Sequence, residues 1–196
     1  IRADLDGGAL TPIGALVRGL AARTTPVTVL SCDNLPDNGQ KLEAAIQAFA
    51  RAASLTITCD VTFPSCMVDR ITPATTDEIR TEAQDTMAVP TEAFTESVIE
   101  DRFTAARPDW PGVQWVTDVA PHEMRKLRML NGAHSYLAYA GVLRSHTFVH
   151  EAIADPVLHA GARAIMAEAA QTLPPAIQAK AEAYAETEFE GAFGRG

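Results

Sequence analysis

Val27-Thr-Val-Leu-Ser31, then Asp33-Asn34-Leu-Pro-Asp-Asn-Gly39, then the alanine-rich run 41–53 decide the fold class of this chain. The first stretch is short, β-branched and apolar, which predicts a buried strand. The second is dense in turn formers, so a loop leaves the strand's carboxyl end. The third carries helical periodicity. Working outward, Thr11-Pro12 predicts a helix start, with a hydroxyl cap and proline at the first helical position, and that helix should run to about residue 23. Residues 55–63 predict a second strand, ended by Pro64. Helix, strand, helix, strand in alternation is the signature of an α/β layer.

Farther on, 73–85 predicts a loop leading into a surface helix, 94–103 a short helix or extended segment, and 114–119 another strand after the turn Arg107-Pro-Asp-Trp-Pro-Gly112. From Pro121 the pattern changes. Residues 123–143, 147–154, 156–173 and 175–193 all predict helix, so a boundary near Ala120 separates an α/β part (1–120) from an all-α part (121–196). No internal repeat is present.

Composition narrows the function classes. The 196 residues carry 16 basic and 25 acidic side chains, a net charge of −9, with 47% hydrophobic residues. An acidic chain without a Lys/Arg-rich run cannot neutralise a phosphate backbone, which argues against nucleic acid as a partner. No apolar stretch approaches a membrane span, and the start Ile1-Arg2-Ala3-Asp4-Leu5-Asp6 lacks a signal-peptide core. The start also lacks an initiator methionine, as expected of a trimmed or internal piece of a longer protein. Cys32, Cys59 and Cys66 form neither a disulfide framework nor a Cys-x-x-Cys pair, which predicts reduced thiols in a cytoplasmic protein.

The chemistry concentrates in Lys126-Leu-Arg-Met-Leu-Asn-Gly-Ala-His134. At about 100° per residue, Lys126, Asn131 and His134 fall at roughly 0°, 140° and 80° on a helix, one broad face. An amine that moves a proton, an amide that donates to a developing oxyanion and an imidazole form a proton-transfer constellation. Spacing alone favours a solvated helix lysine, a locally bonded asparagine and a core histidine. Asn131-Gly132 inside an apolar helix nevertheless departs from propensity, as functional sites do, and Gly132 would permit close approach of a nucleotide or strand. Asn34 stands at a strand end, where α/β sheets present ligands, with a turn residue as the alternative; Asn38-Gly39 reads as a turn. Asp69 and Arg70 read either as site residues or as a buried ion pair. His146 and His150 are four apart with Glu151 following, but this is not H-E-x-x-H and no third ligand is evident, so no metal is expected.

Four ordered blocks resemble the mannitol dehydrogenase family of long-chain polyol and uronate dehydrogenases. They are Thr28-Val-Leu-Ser-Cys-Asp-Asn34-Leu-Pro-Asp-Asn-Gly39; Phe63-Pro-Ser-Cys-Met-Val-Asp69-Arg70-Ile-Thr-Pro73; Val98-Ile-Glu-Asp-Arg-Phe103 with Arg107-Pro-Asp-Trp110; and Asp118-Val-Ala-Pro-His-Glu123 running into Lys126 to Ser135. The resemblance covers about residues 26–173. It implies a Rossmann-type domain, whose N-terminal part with the glycine-rich dinucleotide loop is absent from this chain, followed by a helical substrate domain. No G-x-G-x-x-G occurs, and Gly7-Gly8 is an isolated pair. By itself this chain is therefore expected not to bind NAD at micromolar strength.

The resemblance further implies hydride transfer with NAD, NADP not being excluded, between a keto-sugar or keto-uronate and its polyol or aldonate, without a metal. Lys126 would be the acid/base, Asn131 and His134 its catalytic companions, and Asn34, Asp69 and Arg70 substrate-binding. Lys-Leu-Arg-Met-Leu-Asn-Gly looks most like fructuronate reductases acting on fructuronate and mannonate, with mannitol, arabinitol or sorbitol 2-dehydrogenation as the alternative. A non-catalytic helical interaction piece is the alternative from another class. Partners are expected to be small sugars, polyols or uronates; oligomeric state stays open. Two departures from the family pattern bear on pocket shape: Glu96-Ser97 where Gln-Trp is common, and Arg144-Ser145-His146 where small residues are usual.

Overall fold

The computed structural model describes residues 2–5, 7, 11–92 and 94–191. They form two compact units: Ile1–Val68 with Glu96–Val119, and Asp69–Thr95 with Ala120–Gly196. The excursion Asp69–Thr95, which the sequence assigns to the first domain, thus belongs with the second unit.

The first unit opens with a short helix α1 (Arg2–Leu5) and α2 (Pro12–Ala22). Thr11 caps α2 as predicted, its hydroxyl accepting from Gly14 N at 3.2 Å. Strand β1 (Val27–Thr28), helix α3 (Asn38–Ala52) and strand β2 (Val61–Thr62) form a parallel crossover, with Val27 opposite Val61 and Thr28 opposite Thr62. Parallel neighbours need such a crossover, because a tight turn can only reverse the chain. Both strands are shorter than the apolar runs predict. The ladder is extended by the Val29 N–H to Thr62 O at 2.9 Å and by the Val27 N–H to Asp60 O at 3.0 Å, and residues 55–60 lie outside any strand. Val17 and Leu20 of α2 pack with Ile46, Phe49 and Ala50 of α3 and with Cys59 and Phe63.

Helix α3 begins three residues earlier than predicted. Asn38-Gly39 is its first turn rather than a connecting turn, and both residues are buried. A Cβ on Gly39 would run into the Phe63 and Pro64 carbonyls, so only glycine lets α3 approach that segment. Asn38, 2% exposed, donates to Asp33 O at 2.8 Å and Cys66 O at 2.6 Å and accepts from Cys66 N at 3.0 Å. Its amide thereby imitates a strand partner for the start of β3 (Cys66–Asp69). The second sheet runs β3, then β4 (Glu96–Glu100), then β5 (Val113–Val116). Strands β4 and β5 are parallel, from Ser97 opposite Val113 to Glu100 opposite Val116. This resolves the middle of 94–103 as a strand, and Glu96-Ser97 opens it.

The excursion carries α4 (Asp77–Ala83), capped by Thr76 and without a buried residue. The rest of the second unit is helical: α5 (Ala120–Arg125), a π-helical turn (Lys126–Asn131), α6 (Gly132–Leu143), α7 (Val149–Ala154), α8 (Pro156–Ala170), α9 (Pro175–Gln178) and α10 (Ala181–Glu190). The core of this unit joins Met129, Leu130, Ala133 and Leu137 to Ala152, Leu158, Ala162, Met166 and Tyr184. Small residues let α6 and α8 meet: a Cβ on Gly161 would collide with the Tyr136 hydroxyl. Among the described residues, no helix is long and apolar enough to cross a membrane. Gly8 of the glycine pair and Phe193, the predicted end of the last helix, lie outside the described residues.

Candidate active site

Lys126 opens the π-helical turn. Met129, Leu130, Ala133 and Leu137 belong to the buried core of this unit, and Lys126 is buried in the same turn as Met129 and Leu130. It is 9% exposed, whereas Leu127 and Arg128 point outward. The flanking residues are anchored. Arg125 lies over the Tyr184 ring at 4.1 Å, and Arg128 donates to Thr172 O and Oγ1, both at 2.8 Å.

The π turn corrects the angular reading of the sequence. Spacing on an α-helix sets Asn131 about 140° from Lys126. With i→i+5 bonding each residue turns through less than 100°, so Asn131 falls closer to the lysine's face than the α-helical estimate. The chain returns to α geometry at Gly132, whose N–H bonds Met129 O. Gly132 has an ordinary helical φ, and a Cβ placed on it would meet just Ile165 Cγ2, at 3.9 Å, so packing among the described residues does not demand glycine there.

Asp69, at the end of β3, reaches Lys126: Nζ and Oδ1 are 3.2 Å apart, with side chains 11% and 12% exposed. Both residues lie in the second unit. His134, in the first turn of α6, is half-buried. Burial holds its imidazole below the usual histidine pKa, and the Asp69 charge opposes that effect. The ring is accordingly neutral at pH 7, able to donate from one nitrogen and accept at the other. Replacing Asp69 by Asn removes the opposing charge. The His134 ring, followed by NMR, is expected to titrate below free histidine in the parent and lower still in D69N; an upward move in D69N would refute this coupling. The depressed pKa contributes stability that is present above the unfolded value of about 6.5 and lost as pH falls through the folded one.

The remaining candidates are placed as follows. Arg70 is exposed and directs Nε and Nη2 to Glu92 O at 3.2 and 3.1 Å. Asn34 belongs to the first unit, on the exposed loop after β1, where Cys32 and Asp37 take left-handed backbone (φ 52° and 54°). His146 meets Asp155 at 3.4 Å and Arg144 meets it at 2.8 Å. Asp155 in turn caps α8 through Val157 N and Leu158 N, and Arg144 holds its carboxyl down to about 2. The Arg144-Ser145-His146 departure therefore serves a helix cap. Sequence reasoning missed Glu92 and the structural part of Asn38. A glutamate 22 residues from Arg70 carries no local signal, and Asn-Gly is ambiguous between turn and helix start.

The mannitol dehydrogenase Rossmann domain matches residues 11–112, and the mannitol dehydrogenase C-terminal domain matches residues 118–189. An uncharacterized oxidoreductase of Escherichia coli, YeiQ, is 44% identical over 169 residues, covering 78% of this chain and 35% of that protein. D-mannonate oxidoreductase of E. coli is 41% identical over 170 residues, covering 79% and 35%. Mannitol 2-dehydrogenase of Pseudomonas fluorescens, solved with NAD and D-mannitol, superposes with a TM-score of 0.79 at 35% identity, covering 99% of this chain and 43% of that one. The chain spans about a third of the length of the curated relatives it matches. On these matches, together with the Rossmann-type and helical parts described above, the chain belongs to the mannitol dehydrogenase family.

Proposed function

We propose that this chain carries the acid/base half of an NAD-dependent oxidoreductase that interconverts a keto-uronate or keto-sugar with the matching aldonate or polyol, fructuronate and mannonate being favoured. The observation that carries this reading is the Lys126 amine, buried at the start of a π turn and held 3.2 Å from the Asp69 carboxylate. Single π turns recur at functional sites. As an ammonium, Lys126 gives a proton from Nζ to the carbonyl oxygen during reduction; as an amine, it takes the hydroxyl proton during oxidation. The Asn131 amide donates to that oxygen while negative charge builds on it, and neutral His134 binds it or a neighbouring hydroxyl. Asp69 orients the lysine and accepts from a substrate hydroxyl. Asn34 and Arg70 complete substrate binding, Arg70 supplying the charge that a carboxylate requires.

NAD, when bound, supplies the hydride acceptor or donor. Its pyrophosphate needs a glycine-rich turn at a helix start, and this sequence contains none. The residues of this chain thus do not form that cradle, and none of the steps above passes through it. Likeness to D-mannonate oxidoreductase and the Lys-Leu-Arg-Met-Leu-Asn-Gly run support the uronate. The relative solved with NAD and D-mannitol supports NAD, and favours a polyol 2-dehydrogenase as the second reading. The free thiols Cys32, Cys59 and Cys66 fit a reducing cytoplasm.

The test is a screen of the intact protein against fructuronate, tagaturonate, fructose and xylulose, each with NADH and NADPH. The highest kcat/KM is expected for fructuronate with NADH. A preference for fructose would select the second reading, and no turnover of any ketose would sink both.

A further inference from the structure

Asp69 is the last residue of β3, and beyond it the chain leaves the sheet for the excursion to Thr95. Hydrophobic burial does little to hold that excursion. Helix α4 has no buried residue, and Ile71, Met87 and Val89 are 42%, 80% and 67% exposed. Polar contacts close its base instead, and most of them converge on Glu92. Its carboxylate Oε1 accepts from Ile71 N at 2.7 Å, and its N–H donates to Ile71 O at 3.3 Å. Its carbonyl accepts from Arg70 Nε and Nη2. Beside it, Thr91 Oγ1 donates to Ile71 O at 3.1 Å, and Thr75 Oγ1 to Ala88 O at 2.9 Å forms a second rung.

The clasp therefore grips the two residues that directly follow Asp69. The β3 ladder fixes the backbone before Asp69, and Glu92 fixes it after. A carboxylate that must meet an amine at 3.2 Å needs both sides of its backbone held, since the sheet ends at that residue. Within this clasp the charge-assisted bond from Ile71 N is the strongest member, and it is the one made by the Glu92 side chain.

We propose that Glu92 is a positioning residue for the reaction: by clasping Arg70 and Ile71 it holds Asp69 in register with Lys126. This rests on the acid/base reading of Lys126 and Asp69 given above. The hydrogen bonds of Glu92 go to Arg70 and Ile71, so its effect passes through Asp69.

The experiment is a double-mutant cycle in the intact protein, comparing E92A, E92M, E92Q, D69N and D69N/E92A for kcat, KM and thermal midpoint. Displacing Asp69 is expected to lower kcat roughly ten-fold in E92A, with KM for NAD unchanged. E92M, similar in volume but without the acceptor, should do the same if E92A folds poorly. E92Q keeps an acceptor oxygen for Ile71 N and should recover most of kcat. In the D69N background E92A should cost nothing further, because the group it positions is already altered. An equal loss from E92A in both backgrounds overturns the proposal, as does an unchanged kcat in both E92A and E92M while D69N falls. An unchanged kcat in D69N overturns the catalytic reading itself, and the proposal with it.

Discussion

Replacing Lys126 by alanine in the intact protein should lower kcat by about 10² to 10⁴-fold, the usual contribution of a positioned acid/base, while largely sparing NADH binding. Alanine also leaves the Asp69 carboxylate, 12% exposed, without its ammonium. Breaking a buried pair by removing one partner costs about 3–5 kcal/mol, so part of the loss would reflect a weakened fold. Lys126→Arg separates the two effects. A guanidinium still pairs with Asp69 but stays protonated throughout the accessible pH range. K126R should keep a thermal midpoint near that of the parent and still lose alcohol oxidation. Steady-state kinetics beside a melting curve reads both quantities, and normal oxidation by K126R would remove Lys126 from its assigned role.

The largest effect on the fold is expected from Asn38→Ala. The change strips partners from Cys66 N, Cys66 O and Asp33 O, the first two at a buried strand start. At about 1–3 kcal/mol per buried group left unsatisfied, the loss is roughly 2–6 kcal/mol, a large share of the about 5–15 kcal/mol that holds a typical domain. Asn38→Asp offers no escape, because it sets a carboxylate oxygen against two carbonyls. Urea denaturation of N38A should show an earlier midpoint, and hydrogen exchange should be fastest to rise at Cys66 N. An unchanged midpoint would mean that the start of β3 is held by other contacts.

What could be read from the sequence divides along a physical line. Thr11-Pro12 encodes its helix start in two adjacent residues, and α2 begins there. The shift from α/β to helix near Ala120 shows in periodicity alone, and one boundary between the units falls between Val119 and Ala120. The strands were less legible. Residues 27–31 and 55–63 are apolar enough for longer strands, but a ladder extends only where a neighbour offers matching groups, and periodicity does not report that. Segment 94–103 was ambiguous for the same reason, until Val98 and Ile99 are seen buried in β4.

In the candidate site, Lys126, Asn131 and His134 stood out through spacing and through resemblance to a family. The π turn did not, because an i→i+5 turn has no propensity signature and the angular estimate assumed 3.6 residues per turn. The approach of Asp69 to Lys126 joins residues 57 apart in number and is a tertiary fact. Asn38 was misread because Asn-Gly favours turns, whereas here a buried acceptor and donor on Cys66 recruit the amide into the first turn of a helix.

The excursion at Asp69 has a consequence for how such a protein can be cut or recombined. The backbone passes from one unit to the other three times, after Val68, after Thr95 and after Val119. The helical unit is therefore inherited as two separate stretches of gene. A crossover that exchanged only the stretch from Ala120 onward would import Lys126 and leave the native Asp69 behind, so donor and recipient must agree on both halves of one ion pair. Exchange between relatives works as a clean swap only when both stretches travel together.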